Sequence, residues 1–115
     1  MRPDSLRDKV VNSLEALKGQ DIVALDVADL TDITDFMVIV SGTSNRHVKA
    51  MVDRVVVDLK NVGLPPLGVE GKKSCEWVLV DLGDVLVHVM QRDARSTYEL
   101  ERLWSELPSD STSLI

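Results

Sequence analysis

The stretch from Trp77 to Met90 constrains the fold of this chain more than any other. Two apolar segments, Trp77–Leu82 and Val85–Met90, are joined by Gly83-Asp84. A glycine at the first of two linking positions supplies the positive φ that a II′ hairpin turn prefers. Counting outward from that turn sets Leu82 opposite Val85, Val80 opposite Val87, and Val78 opposite Val89. Side chains alternate across a strand, so these six aliphatic residues share one face, which is the expected core face under the helices. The same register sets Asp81 opposite Leu86, Leu79 opposite His88, and Trp77 opposite Met90. A water-facing sheet surface is expected to carry Lys, Glu and Thr. This one carries Trp, Met and two Leu around one carboxylate and one imidazole.

The rest of the chain reads as helices and strands in alternation, an α/β domain. A first helix is expected from about Leu6 to Lys18, with Ser5 as cap, a stripe of Leu6, Val10, Leu14 and Leu17, and Gly19 as stop. Ile22–Leu25 reads as a short strand that ends in an Asp-rich loop. Phe36–Val40 is apolar without interruption and reads as a strand buried on both faces. Ser41-Gly-Thr-Ser44 leads into the longest helix, about Asn45 to Asn61, capped by Thr43 or Ser44. Its expected buried stripe is Val48, Met51, Val52, Val55, Leu59 and Val62. Gly63 ends it and Pro65-Pro66 keep it from continuing. A strand near Leu67–Glu70 precedes the hairpin. A last helix, about Ala94 to Leu107 with Asp93 as cap, carries Tyr98 and buries Leu100, Leu103 and Trp104. Residues 1–107 form the expected single domain, and the polar tail 108–115 is expected to be disordered.

Composition narrows the function classes. At 115 residues there is room for one core. With 13 basic and 19 acidic residues the net charge is −6. Nucleic-acid binding draws its affinity from Lys and Arg on phosphates, so direct DNA or RNA binding is not expected. A basic protein surface is the better complement. No apolar run approaches the ~20 residues of a membrane span, and no secretion signal is expected from Met1–Ser5. The single Cys75 gives neither a disulfide framework nor a cysteine metal site. The cytosol is the expected compartment.

The outer hairpin face is the main candidate site. It is read as an exposed contact surface, since large apolar patches mark interactions and Trp and Tyr lead the interface anchors. The alternative is that another helix covers it as a second core. Asp26, Asp29, Asp32 and Asp35 recur every three residues, and Asp81 and Asp84 flank the hairpin turn. Paired carboxylates hold Mg²⁺ in phosphoryl and nucleotidyl transfer, but Asp is also a common loop and cap residue. The structural role is favoured, with no metal or cofactor. Ser41-Gly-Thr-Ser44 lacks the Lys and second Gly of a phosphate-binding loop and reads as a cap with weak anion-binding potential. His47, His88 and Cys75 form no nucleophile–base set in sequence, so no catalytic residue is expected.

Several segments together resemble one family. They are Lys18-Gly-Gln-Asp-Ile-Val-Ala-Leu-Asp26, Ile33-Thr-Asp-Phe36, Ser41-Gly-Thr-Ser-Asn-Arg-His47, Gly68-Val-Glu-Gly71, Trp77 through Met90, and Tyr98-Glu-Leu-Glu-Arg-Leu-Trp104. In this order they resemble the ribosomal silencing factor S family, also called the Iojap family. The resemblance implies a mixed sheet of about five strands with helices packed on it, nucleotidyltransferase-like without the activity. It implies binding to the large ribosomal subunit through a basic ribosomal protein, the one numbered fourteen. The bound domain would block joining of the small subunit and lower translation when nutrients are short. Organellar relatives imply a role in large-subunit assembly as an alternative. Trp77, Tyr98, Glu70, Asp81 and Asp84 match the family's motifs by position. Together with Leu79, Leu86, His88 and Met90 they form the expected partner-binding set. Nothing functional is carried onto the first helix or the tail after Glu106. Two other readings stay open, a metal-dependent nucleotidyltransferase and a hairpin face used for homodimerisation. The order Ser41-Gly42, with no Asp-x-Asp on the next strand, tells against the enzyme.

Overall fold

The computed structural model describes residues 1–98, with side chains as far as Arg95. Helix α1 spans Pro3–Ala16. It starts earlier than expected because Pro3 occupies its first turn, where a missing N–H costs nothing and the fixed φ suits a helix. Ser5 is therefore inside the helix, not its cap. The stop also differs. Lys18 takes the left-handed φ of 59°, and the Gly19 N–H donates to the Leu14 carbonyl at 2.9 Å. Gly19 serves another purpose, since a Cβ there would meet Val40 Cγ2 at 2.6 Å.

Strand β1 is Gln20–Asp26 and β2 is Phe36–Gly42, both longer than expected. Helix α2, Asn45–Lys60, is capped by the Ser44 side chain, which accepts from the His47 N–H. Its C-terminus closes with Gly63 at φ 77° and the Leu64 N–H on the Leu59 carbonyl at 2.9 Å. Val48, Met51, Val52, Val55 and Leu59 are buried, but Val62 lies beyond the helix and is exposed. Strands β3 (Gly68–Glu70), β4 (Trp77–Asp81) and β5 (Val85–Gln91) follow, then α3 (Arg92–Tyr98).

The sheet order is β1-β2-β5-β4-β3. Only β2 and β5 run parallel; every other pair is antiparallel, so the sheet is mixed. The chain leaves β2, crosses through α2, adds the two outer strands and returns to the centre as β5. Central strands β2 and β5 lie between neighbours on both sides and are buried almost throughout.

The hairpin pairs in the expected register, Trp77 with Met90 through Asp81 with Leu86. Gly83 has φ 83°, and the Leu82 N–H donates to the Val85 carbonyl at 3.0 Å. Val78, Val80, Val85, Val87 and Val89 are fully buried against α1 and α2, with Leu82 half-buried beside them. Each such side chain contributes roughly 1.5–3 kcal/mol by leaving water. The two helices are also joined by a polar contact. Ser13 Oγ donates to Asp58 Oδ2 at 2.6 Å, and Arg54 Nε does so at 3.0 Å. The Ser13 bond is the main reason the Asp58 carboxyl sits below its ordinary range.

The opposite face of the sheet is covered as well. Val27, Met37, Ile39, Met90 and Ala94 form a second apolar cluster, with Leu25, Leu30 and Trp77 packed against it. Its cover is the loop between β1 and β2 together with α3. The loop is held by the Val27 N–H on the Asp35 carbonyl and by the Asp35 and Phe36 N–H groups on the Asp84 carbonyl, at 2.9–3.0 Å.

Candidate docking site

Direct cross-strand partners face the same way, so the pairings Ile39↔His88, His88↔Leu79 and Leu79↔Glu70 place four side chains in one row on the far face. The row begins under the second cluster at Ile39 and ends in water at Glu70. Between those extremes the cover stops. Glu70, Gly71, Trp77, Leu79 and His88 line a concavity of about 320 Å³.

This division corrects the expected exposed face. Met90 is fully buried, Leu86 is 4% exposed and His88 is 5% exposed, so the β5 half of the face is core. Trp77, Leu79 and Asp81 on β4 are half-buried, and Glu70 and Asp84 are exposed. The physical reason is position in the sheet. Strand β5 is central and lies under the loop and α3, whereas β4 and β3 lie toward the edge. Trp77 does pair with Met90 across the hairpin, but Met90 points into the cluster that Trp77 only borders. The Tyr98 side chain, Leu100, Leu103, Trp104 and the tail lie outside the described residues.

A polar link supports the hollow's wall. The Trp77 indole N–H donates to His88 Nδ1 at 2.9 Å, with ring centroids 5.7 Å apart. Burial drives the His88 pKa down from 6.5 to about 4, so the ring is neutral near pH 7. Asp81 is not a free carboxylate; its Oδ1 accepts the Gly83 N–H at 2.9 Å and steadies the turn. Gly71, a hollow-lining residue the motif reading did not single out as a site, has φ 90°. Its signal was present as the glycine following the Glu70 strand.

Residues 2–114 match the family described as ribosomal silencing factor during starvation. The chain belongs to that family. A silencing factor of Haemophilus influenzae is 46% identical over 101 residues, covering 88% of this chain and 99% of that one. The silencing factor of Chromobacterium violaceum is 48% identical over 94 residues, covering 82% and 77% of the two chains. A mouse protein named for mitochondrial assembly of the ribosomal large subunit is 39% identical over 101 residues, covering 85% of this chain and 44% of its own length. A crystal structure of a Chromobacterium violaceum protein superposes with a TM-score of 0.90 at 42% identity, covering 98% of this chain and 95% of that one. Membership in the silencing-factor family makes this chain a ribosome-associated regulator with a mixed α+β fold.

Within this silencing-factor chain the Asp-rich loop has a local role. Asp26 Oδ1 accepts the Ala28 N–H at 3.1 Å, and the loop's backbone bonds tie it to the hairpin turn. Among the described residues no group of three His, Cys, Asp or Glu is placed to hold a metal ion. No described helix is long and apolar enough to cross a membrane.

Proposed function

We propose that the chain represses translation sterically, by docking the Glu70–His88 hollow on the large ribosomal subunit and blocking the small subunit. The partner surface is the basic ribosomal protein numbered fourteen, and the setting is the cytoplasm under nutrient limitation. The carrying observation is the hollow itself. Half-buried Trp77 and Leu79 lie beside the exposed carboxylate of Glu70 on a chain of net charge −6. An aromatic anchor beside a carboxylate suits a basic, partly apolar protein surface. No bond is made or broken in such a mechanism, so no catalytic residue, metal or cofactor takes part.

Sedimentation with purified ribosomal particles tests it. The chain is expected to travel with free large subunits and not with small subunits or intact ribosomes. Equal recovery with intact ribosomes contradicts steric blocking. The mouse relative's name favours a second reading, an assembly factor for the large subunit. Cells lacking the protein would then accumulate incomplete large subunits; normal subunit profiles in growing cells would exclude it.

A further inference from the structure

The Trp77–His88 bond decides where the imidazole proton sits. An indole N–H can only donate, so Nδ1 of His88 must present its lone pair. A neutral imidazole then carries its proton on Nε2. That Nε2–H is buried, and among the described residues no acceptor meets it. Buried donors in folded proteins are nearly always paired, so an orphan of this kind needs a reason. The other buried side-chain atom without a partner among the described residues, Gln20 Oε1, belongs to a half-buried residue at the start of β1 that does not line the hollow.

We propose that His88 is a specificity-determining donor of the docking hollow, its Nε2–H held for a backbone carbonyl on a basic loop of the partner. This rests on the hollow being the docking site. The lining specifies the occupant. In the row Glu70–Leu79–His88 the backbones of Glu70 and His88 are two strand spacings apart, about 10 Å. Glu70 takes a Lys or Arg head group, whose methylene stem lies over Leu79 and the Trp77 ring. The same carboxylate repels an incoming Asp or Glu, so the acceptor offered to His88 is an uncharged carbonyl. A second donor brought to this spot would leave both N–H groups unpaired, and such partners are rejected. Nε2 is closed to water in the free chain, so docking includes a side-chain shift in the lining, a common event at interfaces.

Imidazole nitrogen NMR on the whole chain at neutral pH provides the first test. A neutral His88 protonated on Nε2 is expected; a proton on Nδ1 overturns the proposal. The second test is His88→Asn, whose Oδ1 replaces Nδ1 as acceptor for Trp77 while the donor is lost. A folded Asn variant is expected to bind large subunits tenfold or more weakly, with part of the loss restored by His88→Gln, which returns an N–H near Nε2. Parent-like binding by either a folded Asn variant or a folded His88→Phe variant overturns the proposal. Leu79→Arg, which fills the hollow with a cation, separates the two levels. Lost binding there with parent-like binding by the His88 variants removes only the role of His88. Parent-like binding by Leu79→Arg removes the docking site and the donor with it.

Discussion

Gly71 lies so close to Trp77 that a Cβ on the glycine would overlap the Trp77 carbonyl oxygen. Its φ of 90° is one that L side chains rarely adopt, and its carbonyl accepts the Cys75 N–H at 3.2 Å. The close approach brings the segment after β3 against the first residue of β4, and both residues line the hollow.

Gly71→Ala is therefore expected to destabilise the fold by roughly 2–3 kcal/mol, combining an unfavourable φ with a backbone clash. Urea unfolding measures it. A loss below about 0.5 kcal/mol, within the range of an ordinary surface change, would mean the approach is not needed.

Trp77→Ala is expected to weaken large-subunit binding by about 2 kcal/mol or more, some thirtyfold. Because Trp77 only borders the second cluster, its stability loss should stay under the ~3–5 kcal/mol of a fully buried aromatic. A melting curve beside the binding assay separates the two. A full core-sized loss with unchanged affinity would make Trp77 a packing residue.

Asp81→Asn keeps an oxygen for the Gly83 N–H and removes the charge. Stability is expected to change by less than about 0.5 kcal/mol, while association with large subunits slows at low salt. Asp81→Ala, by contrast, should cost about 1 kcal/mol through the lost turn bond. Identical on-rates for parent and Asn variant at low ionic strength would exclude Asp81 from steering.

His88 makes stability pH-dependent with a definite sign. The unfolded imidazole binds a proton near pH 6.5, whereas the buried one waits until about 4. Between those values the unfolded state holds more protons, so stability falls as pH drops from 6.5 toward 4 and levels off below. The full span is on the order of 3 kcal/mol. The parent-minus-His88→Asn difference in unfolding free energy isolates this from the carboxylates. A difference that stays flat across the window would show that His88 is not held neutral by the fold.

Lys18→Gly is expected to stabilise the chain by about 0.5–1 kcal/mol, because Lys18 occupies the left-handed position that closes α1. Chemical denaturation of the two proteins decides it. The neighbouring Gly19→Ala should do the opposite, since its Cβ would run into Val40.

The hairpin register, the valine face, the doubly buried β2 and a hydroxyl cap at Thr43 or Ser44 were legible in the sequence because each is a local matter. Alternation assigns faces, a glycine with positive φ sets a turn, and a hydroxyl three residues before an N–H caps a helix. The end of α1 is local too, but Lys18 fills the left-handed position where glycine is the usual signal, one residue before Gly19. Which part of the hairpin's second face meets water is a different kind of question. Period-2 patterning says that Leu79 and His88 share a face, yet His88 is buried and Leu79 only half so. Strand order decided that. The parallel crossover puts β5 in the middle of the sheet, under Val27, Leu30 and Ala94, and leaves β4 and β3 toward an edge the cover does not reach. Met37 and Ile39 already required a cover on that side, but only long-range packing could show how far it extends, and hence where the hollow opens.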